Sequence, residues 1–106
     1  MSREPHEHYQ RLKARHGALI GAVEALREAA ANSGPLDAKT GLLIQLAAAA
    51  AIRSHGSVHS HAIRALEAGA TPDEIRHAVT VLTSTIGFPT VAAALAWVDD
   101  VLERGY

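Results

Sequence analysis

The sequence predicts an all-α bundle of about five helices that forms a homo-oligomer. Three observations carry this. Hydrophobic residues make up 48% of the 106 residues but aromatics only 4%, so the apolar content is chiefly Ala, Leu, Ile and Val. Such small side chains let helices approach closely. Apolar positions recur at spacings of three and four along most of the chain, the period of a helix face. Helix start and stop signals punctuate that pattern at short intervals.

Residues 1–8 are polar and read as a flexible arm ahead of a single domain spanning 1–106. From Tyr9, the face Leu12, His16, Leu19, Val23, Leu26 and Ala30 predicts one amphipathic helix, ended by Asn32-Ser33-Gly34-Pro35. Asp37 is placed to cap a second helix over 38–53. Its stretch from Leu42 to Ile52 is apolar on every side after Gln45. A helix without a polar face needs burial all round, which a small chain supplies most readily through a partner subunit. Ser54 offers an N-cap for a third helix through Val58, Ala62, Ile63 and Leu66, closed by Gly69. Thr71-Pro72-Asp73-Glu74 is a capping box with proline at the first helical position, and opens a helix reaching Ile86. Gly87-Phe88-Pro89 breaks the pattern, and Thr90 caps a last helix carrying Val91, Ala94, Leu95, Val98 and Val101. Asp99 and Asp100 fall on its solvent side.

Composition excludes several functions. Net charge is −1 with the charges interspersed, which gives neither the footprint of a nucleic-acid binder nor a basic face for a membrane. No cysteine is present, so disulfide, thiolate-ligand and thiol-nucleophile chemistry are excluded. The polar start, and the absence of an apolar run long enough to span a bilayer, predict a soluble cytoplasmic protein.

Chemistry concentrates in Ile52–His61, which holds three of the seven histidines. Ser54, Ser57 and His61 share one helical face, and His61 lies one turn after Ser57. They can be read as a base and nucleophile, or as a cap and a locally bonded serine beside a structural histidine. His55 and His59, four apart, have a spacing that can chelate a metal, with His61 or a residue from another helix as third ligand. Packed or solvated histidines are the plainer reading. His61 is the candidate general acid or base. His16 interrupts an apolar face, His77 faces solvent, Lys39 and Arg53 are candidate anion holders, and Trp97 with Phe88 is a candidate cavity wall.

Residues 36–103 resemble the carboxymuconolactone decarboxylase / alkylhydroperoxidase AhpD-like family. The resemblance rests on Leu36-Asp37-Ala38-Lys39-Thr40 opening an apolar helix, on Ser54–His61, on His61 through Ile75, and on Gly87-Phe88-Pro89 before an alanine-rich helix. It implies an all-helical subunit assembling into a homotrimer or homohexamer. In the peroxidase branch a C-x-x-C pair, a following histidine and a glutamate on the preceding helix do the work. Here those positions carry Ser54, Ser57, His61 and Leu42, so the sulfur redox cycle is lost. The decarboxylase branch is a lyase that needs neither thiols nor an organic cofactor, and none is assigned. That resemblance makes His61 the acid/base group on a small anionic lactone or cyclic acid; from chemistry alone, His55 or His59 would assist and Arg53 or Lys39 would hold a carboxylate. The alternatives are a non-catalytic oligomeric or ligand-binding homologue with a decayed redox site, and a histidine-based metal-binding variant.

Overall fold

The computed structural model describes residues 4–104, which form only helices and their connections. Six helices of nine residues or more and one four-residue turn follow in order: α1 Glu4–Arg15, α2 Gly17–Ala31, α3 Ala38–Ala51, α4 His55–Glu67, α5 Pro72–Thr80, α6 Thr83–Ile86 and α7 Phe88–Arg104. The all-α class and the absence of strands among the described residues agree with the sequence pattern. None of these helices is long and apolar enough to cross a membrane.

The core lies between α3, α4, α5 and α7. Leu46, Val58, Ile75, Val79, Val91, Val98 and Val101 are its largest fully buried side chains. Alanines at 49, 50, 62, 65 and 94 fill the contacts between them and bring the helix axes close. α3 and α4 form the most extensive pair, and α7 packs across α4 and α5. The cap signals work as predicted at two starts. Asp37 Oδ1 accepts from Thr40 N at 2.8 Å. Thr71 Oγ1 accepts from Glu74 N at 3.1 Å, while Glu74 Oε1 accepts from Thr71 N at 2.9 Å.

Two predicted helices are each divided. The first, expected to run unbroken from Tyr9, breaks at His16, whose backbone (φ −127°, ψ 53°) leaves the helical region. α1 and α2 fold back on one another about this point, with Tyr9 OH donating to Glu24 and Lys13 Nζ 3.5 Å from the same carboxylate. α1 starts at Glu4, within the stretch expected to be an arm. The helix from Pro72 stops at Thr80 and resumes at Thr83. There Thr83 Oγ1 donates to the Thr80 carbonyl at 2.7 Å, so a side chain takes up a backbone acceptor that a continuous helix would use.

The demand for further burial also moves. α3 does find a core, burying Leu46, Ala49 and Ala50, and leaves Ile44 and Ile52 outside. α2 buries Ile20 alone, while Leu19 and Leu26 are 61% and 69% exposed. The predicted apolar face of the first helix therefore faces outward, and the unmet burial belongs to α2 more than to α3.

Candidate functional site

The site begins with the turn between α3 and α4. Arg53 N donates to the Ala50 carbonyl and Ser54 N to that of Ala49, the paired bonds of a Schellman cap. Arg53 therefore adopts φ 59° without being glycine. Its guanidinium is spent on Thr90 Oγ1, at 2.8 and 3.2 Å, and Lys39 is spent on Glu74 at 3.1 Å. Neither is brought to the His61 side of α4. Ser54 occupies the N-cap position of α4, but its hydroxyl makes no capping bond. His61 Nδ1 lies 2.8 Å from the Ser57 carbonyl oxygen, not from the hydroxyl. A carbonyl only accepts, so Nδ1 carries the hydrogen, and Nε2 is the nitrogen that exchanges a proton. Burial, and then the positive charges of Arg64 and Arg27, hold the His61 pKa below its ordinary value; the bond to Ser57 opposes this.

Two faces of α4 carry different chemistry. On the Arg64 side, α2, the connection to α3, the start of α3 and Arg64 of α4 line an open-mouthed cavity of about 510 Å³, whose lining does not include His61 one turn earlier. Leu42 lines it, at the position where the resemblance places a glutamate in the peroxidase branch. Arg27 and Arg64 also line it. Arg64 Nη1 is buried with no hydrogen-bond partner among the described residues. Burial and then the neighbouring Arg27 lower the Arg64 pKa. Two guanidinium groups held together in this way favour an anion between them. Of the cavity's three carboxylates, Glu24 is engaged by Tyr9 and Lys13, Asp37 caps α3, and Glu28 is exposed. Sequence reading missed Arg27 and Arg64 because each sits among ordinary helix-surface charges, with nothing in its spacing to mark it.

On the opposite side, facing α7, His55 and His59 meet Asp100. The two Nε2 atoms are 3.2 Å apart, and Asp100 Oδ2 is 3.6 Å from His59 Nε2. His55 stacks on Trp97, with ring centroids 4.7 Å apart and planes 15° from parallel. Trp97 therefore braces a histidine, while Phe88 is 64% exposed elsewhere. Burial first, then the charge of His55, lowers the His59 pKa against the raising effect of Asp100. His61 takes no part in this cluster. His16 and His77 are exposed.

An all-helical fold with this serine-substituted turn and a retained histidine defines a cysteine-less member of an AhpD-like helical class. The sequence profile of the carboxymuconolactone decarboxylase family matches residues 18–100, and the chain belongs to that family. The fold is similar to a crystal structure of an apo carboxymuconolactone decarboxylase family protein from Legionella pneumophila. That likeness has a TM-score of 0.76 at 23% identity, over 94% of this chain and 89% of the other. The comparison with curated proteins gave no match.

Proposed function

We propose that the chain binds a small carboxylic acid or lactone in the α2–α3–α4 cavity and carries out cofactor-free acid/base chemistry on it, decarboxylation being the reaction of choice. The observation that carries this reading is Arg64, a guanidinium donor that lines that cavity together with Arg27. A substrate carboxylate is the natural partner for such a donor. His61 lies one turn before Arg64 on α4 and is the proton carrier. Its Nδ1 bond to Ser57 can persist in both the neutral and the cationic ring, so proton exchange is confined to Nε2. In a decarboxylation the bond to the leaving carboxylate breaks, CO₂ departs, and its electron pair passes into a conjugated carbonyl. Nε2, which takes up a proton from solvent water, then delivers it to that carbon, and the ring returns to its neutral Nδ1–H form. With neither cysteine available, no thiol peroxidase cycle runs. Self-association into a trimer or hexamer in the cytoplasm completes the proposal.

The test uses a panel of carboxylated lactones and small cyclic acids. Binding is followed by calorimetry, and turnover by NMR through product formation and solvent deuterium entering carbon. Arg64→Met should weaken binding at least about tenfold, the loss of one charge-assisted hydrogen bond. His61→Ala should cut turnover at least about a hundredfold with helicity unchanged. Unaltered affinity in Arg64→Met would remove the cavity from consideration. Binding by the wild type without product or exchange would make this a ligand-binding homologue, a reading that Leu42 in place of an acid favours.

A further inference from the structure

The cluster on the α7 side of α4 is separate from the cavity and does not rest on the reading above. We propose that His55, His59 and Asp100 form a binding site for a divalent transition metal of the zinc class, with its remaining coordination open to water. One ring nitrogen each from His55 and His59 and an Asp100 carboxylate oxygen all lie within 4.8 Å of one another. Zinc bonds of about 2.0–2.1 Å at tetrahedral angles place ligand atoms about 3.3 Å apart. The two shorter separations, 3.2 and 3.6 Å, bracket that edge. The third closes by rotation of the half-exposed Asp100.

The surroundings suit a metal better than a plain hydrogen-bonded group. His59 is 3% exposed and is the polar side chain buried in the core among the described residues. A neutral imidazole carries at most one hydrogen on Nε2. His59 Nε2 therefore cannot donate to both His55 and Asp100, whereas a cation accepts electron pairs from all three. The supporting contacts are those that orient metal ligands. Trp97 fixes the plane of the His55 ring, and Arg104 Nη1 stands 3.9 Å from Asp100 Oδ1, the carboxylate oxygen turned from His59. Two nitrogens and one carboxylate favour zinc, cobalt or nickel over the all-oxygen sites of magnesium and calcium. Three protein ligands leave room for water, the arrangement of reactive sites more than of closed structural ones.

The experiment uses the full untagged chain, stripped with a chelator and titrated with Zn²⁺ by calorimetry. It is then titrated with Co²⁺, read by visible absorption and by quenching of the single tryptophan. One Zn²⁺ per subunit should bind, with Co²⁺ giving the intense visible bands of a low-coordinate nitrogen–oxygen site. Trp97 emission should fall in step with those bands, because the ion sits beside the ring it stacks upon. His55→Ala and Asp100→Asn alter exposed or half-exposed side chains and should each weaken binding about a hundredfold or more. His77→Ala, on an exposed helix face, should leave it unchanged. His59→Ala is kept out because that side chain lies in the core. Substoichiometric Zn²⁺ in the wild type overturns the proposal. So does binding that survives both His55→Ala and Asp100→Asn, or that is lost in His77→Ala, since the metal would then be held by other histidines.

Discussion

Arg53 and Gly69 hold the same place in two copies of one turn. Each is the left-handed residue after a helix, and each turn closes with the same pair of backbone bonds. Arg53 N and Ser54 N reach back to Ala50 and Ala49; Gly69 N and Ala70 N reach back to Leu66 and Ala65. Gly69 adopts φ 97° with no Cβ to strain, while Arg53 adopts φ 59° with one. A Cβ built on Gly69 meets nothing within 4 Å, so the cost of Gly69→Ala is purely one of backbone conformation. That substitution should destabilise by about 1 kcal/mol or somewhat more. Arg53→Gly relieves about 1 kcal/mol of strain. It also loosens the unfolded chain by roughly 0.5–1 kcal/mol and surrenders the bonds to Thr90. Its net effect should stay within about 0.5 kcal/mol of zero. Urea unfolding at constant m-value separates the two cases, and equal losses at both positions would refute the argument. The strained turn stands immediately before His55, so the helix that carries both candidate sites starts from a residue held by its neighbours.

α5 was legible from its first four residues because its start is a local chemical device. The capping box satisfies backbone donors within one turn, and Glu74 Oε2 also reaches Lys39 of α3 at 3.1 Å. The Thr71 backbone bond first, and then Lys39, hold the Glu74 carboxyl below its ordinary pKa. An acid with a depressed folded pKa favours the native state while ionised. Its contribution is full above the unfolded pKa and is lost as pH falls through the folded one. Glu74→Gln keeps the box geometry but not the charge. The variant should therefore be less stable than wild type at neutral pH, and the two should converge as pH falls through the depressed folded pKa of Glu74. Urea midpoints across that range check this, and a constant gap would exclude the carboxylate as its source. Thr71→Ala should cost about 1 kcal/mol at neutral pH. Where α5 stops was not legible, because hydroxyls of the kind at Thr83 suit a helix, a strand or a break equally. The break at His16 was hidden for a similar reason: the apolar period continues across it, although the chain turns back. At the candidate sites the local half was readable and the distant half was not. The spacing of His55 and His59 announces a shared face. Asp100 belongs to the other end of the chain, looked like an ordinary solvent-side acid, and is joined to them only when α7 packs on α4.

The whole molecule is more open than its length requires. A compact monomer of 11.2 kDa exposes about 5,700 Å², whereas this chain exposes 6548 Å². The excess, about 850 Å², is close to the area one partner contributes to a standard protein interface. The Cα radius of gyration of 13.9 Å likewise exceeds the roughly 13 Å expected for this length. α2 contributes apolar side chains to this exposed surface. Leu19, Val23 and Leu26 recur at helical spacing along one exposed stripe, about a quarter turn from the face bearing Arg27 that lines the cavity. Leu36 and Ile44, at the cavity's edge, are also exposed. An exposed apolar stripe marks an interaction surface, and further copies of the chain are the partner proposed for this one. The self-association into a trimer or hexamer proposed above should then cover α2 and narrow the cavity mouth. Light scattering on the eluting protein should give a mass three or six times that of the subunit. Leu19→Asp combined with Leu26→Asp should reduce it to the single-chain mass. Both side chains are far from buried, so the variant should keep its helical signal and lose only assembly. A monomeric wild type would sink the proposal of self-association. An oligomer unchanged by the double variant would place its interface elsewhere than α2. If the double variant is monomeric and also binds carboxylates more weakly, the neighbouring subunit completes the cavity as well as covering the helix.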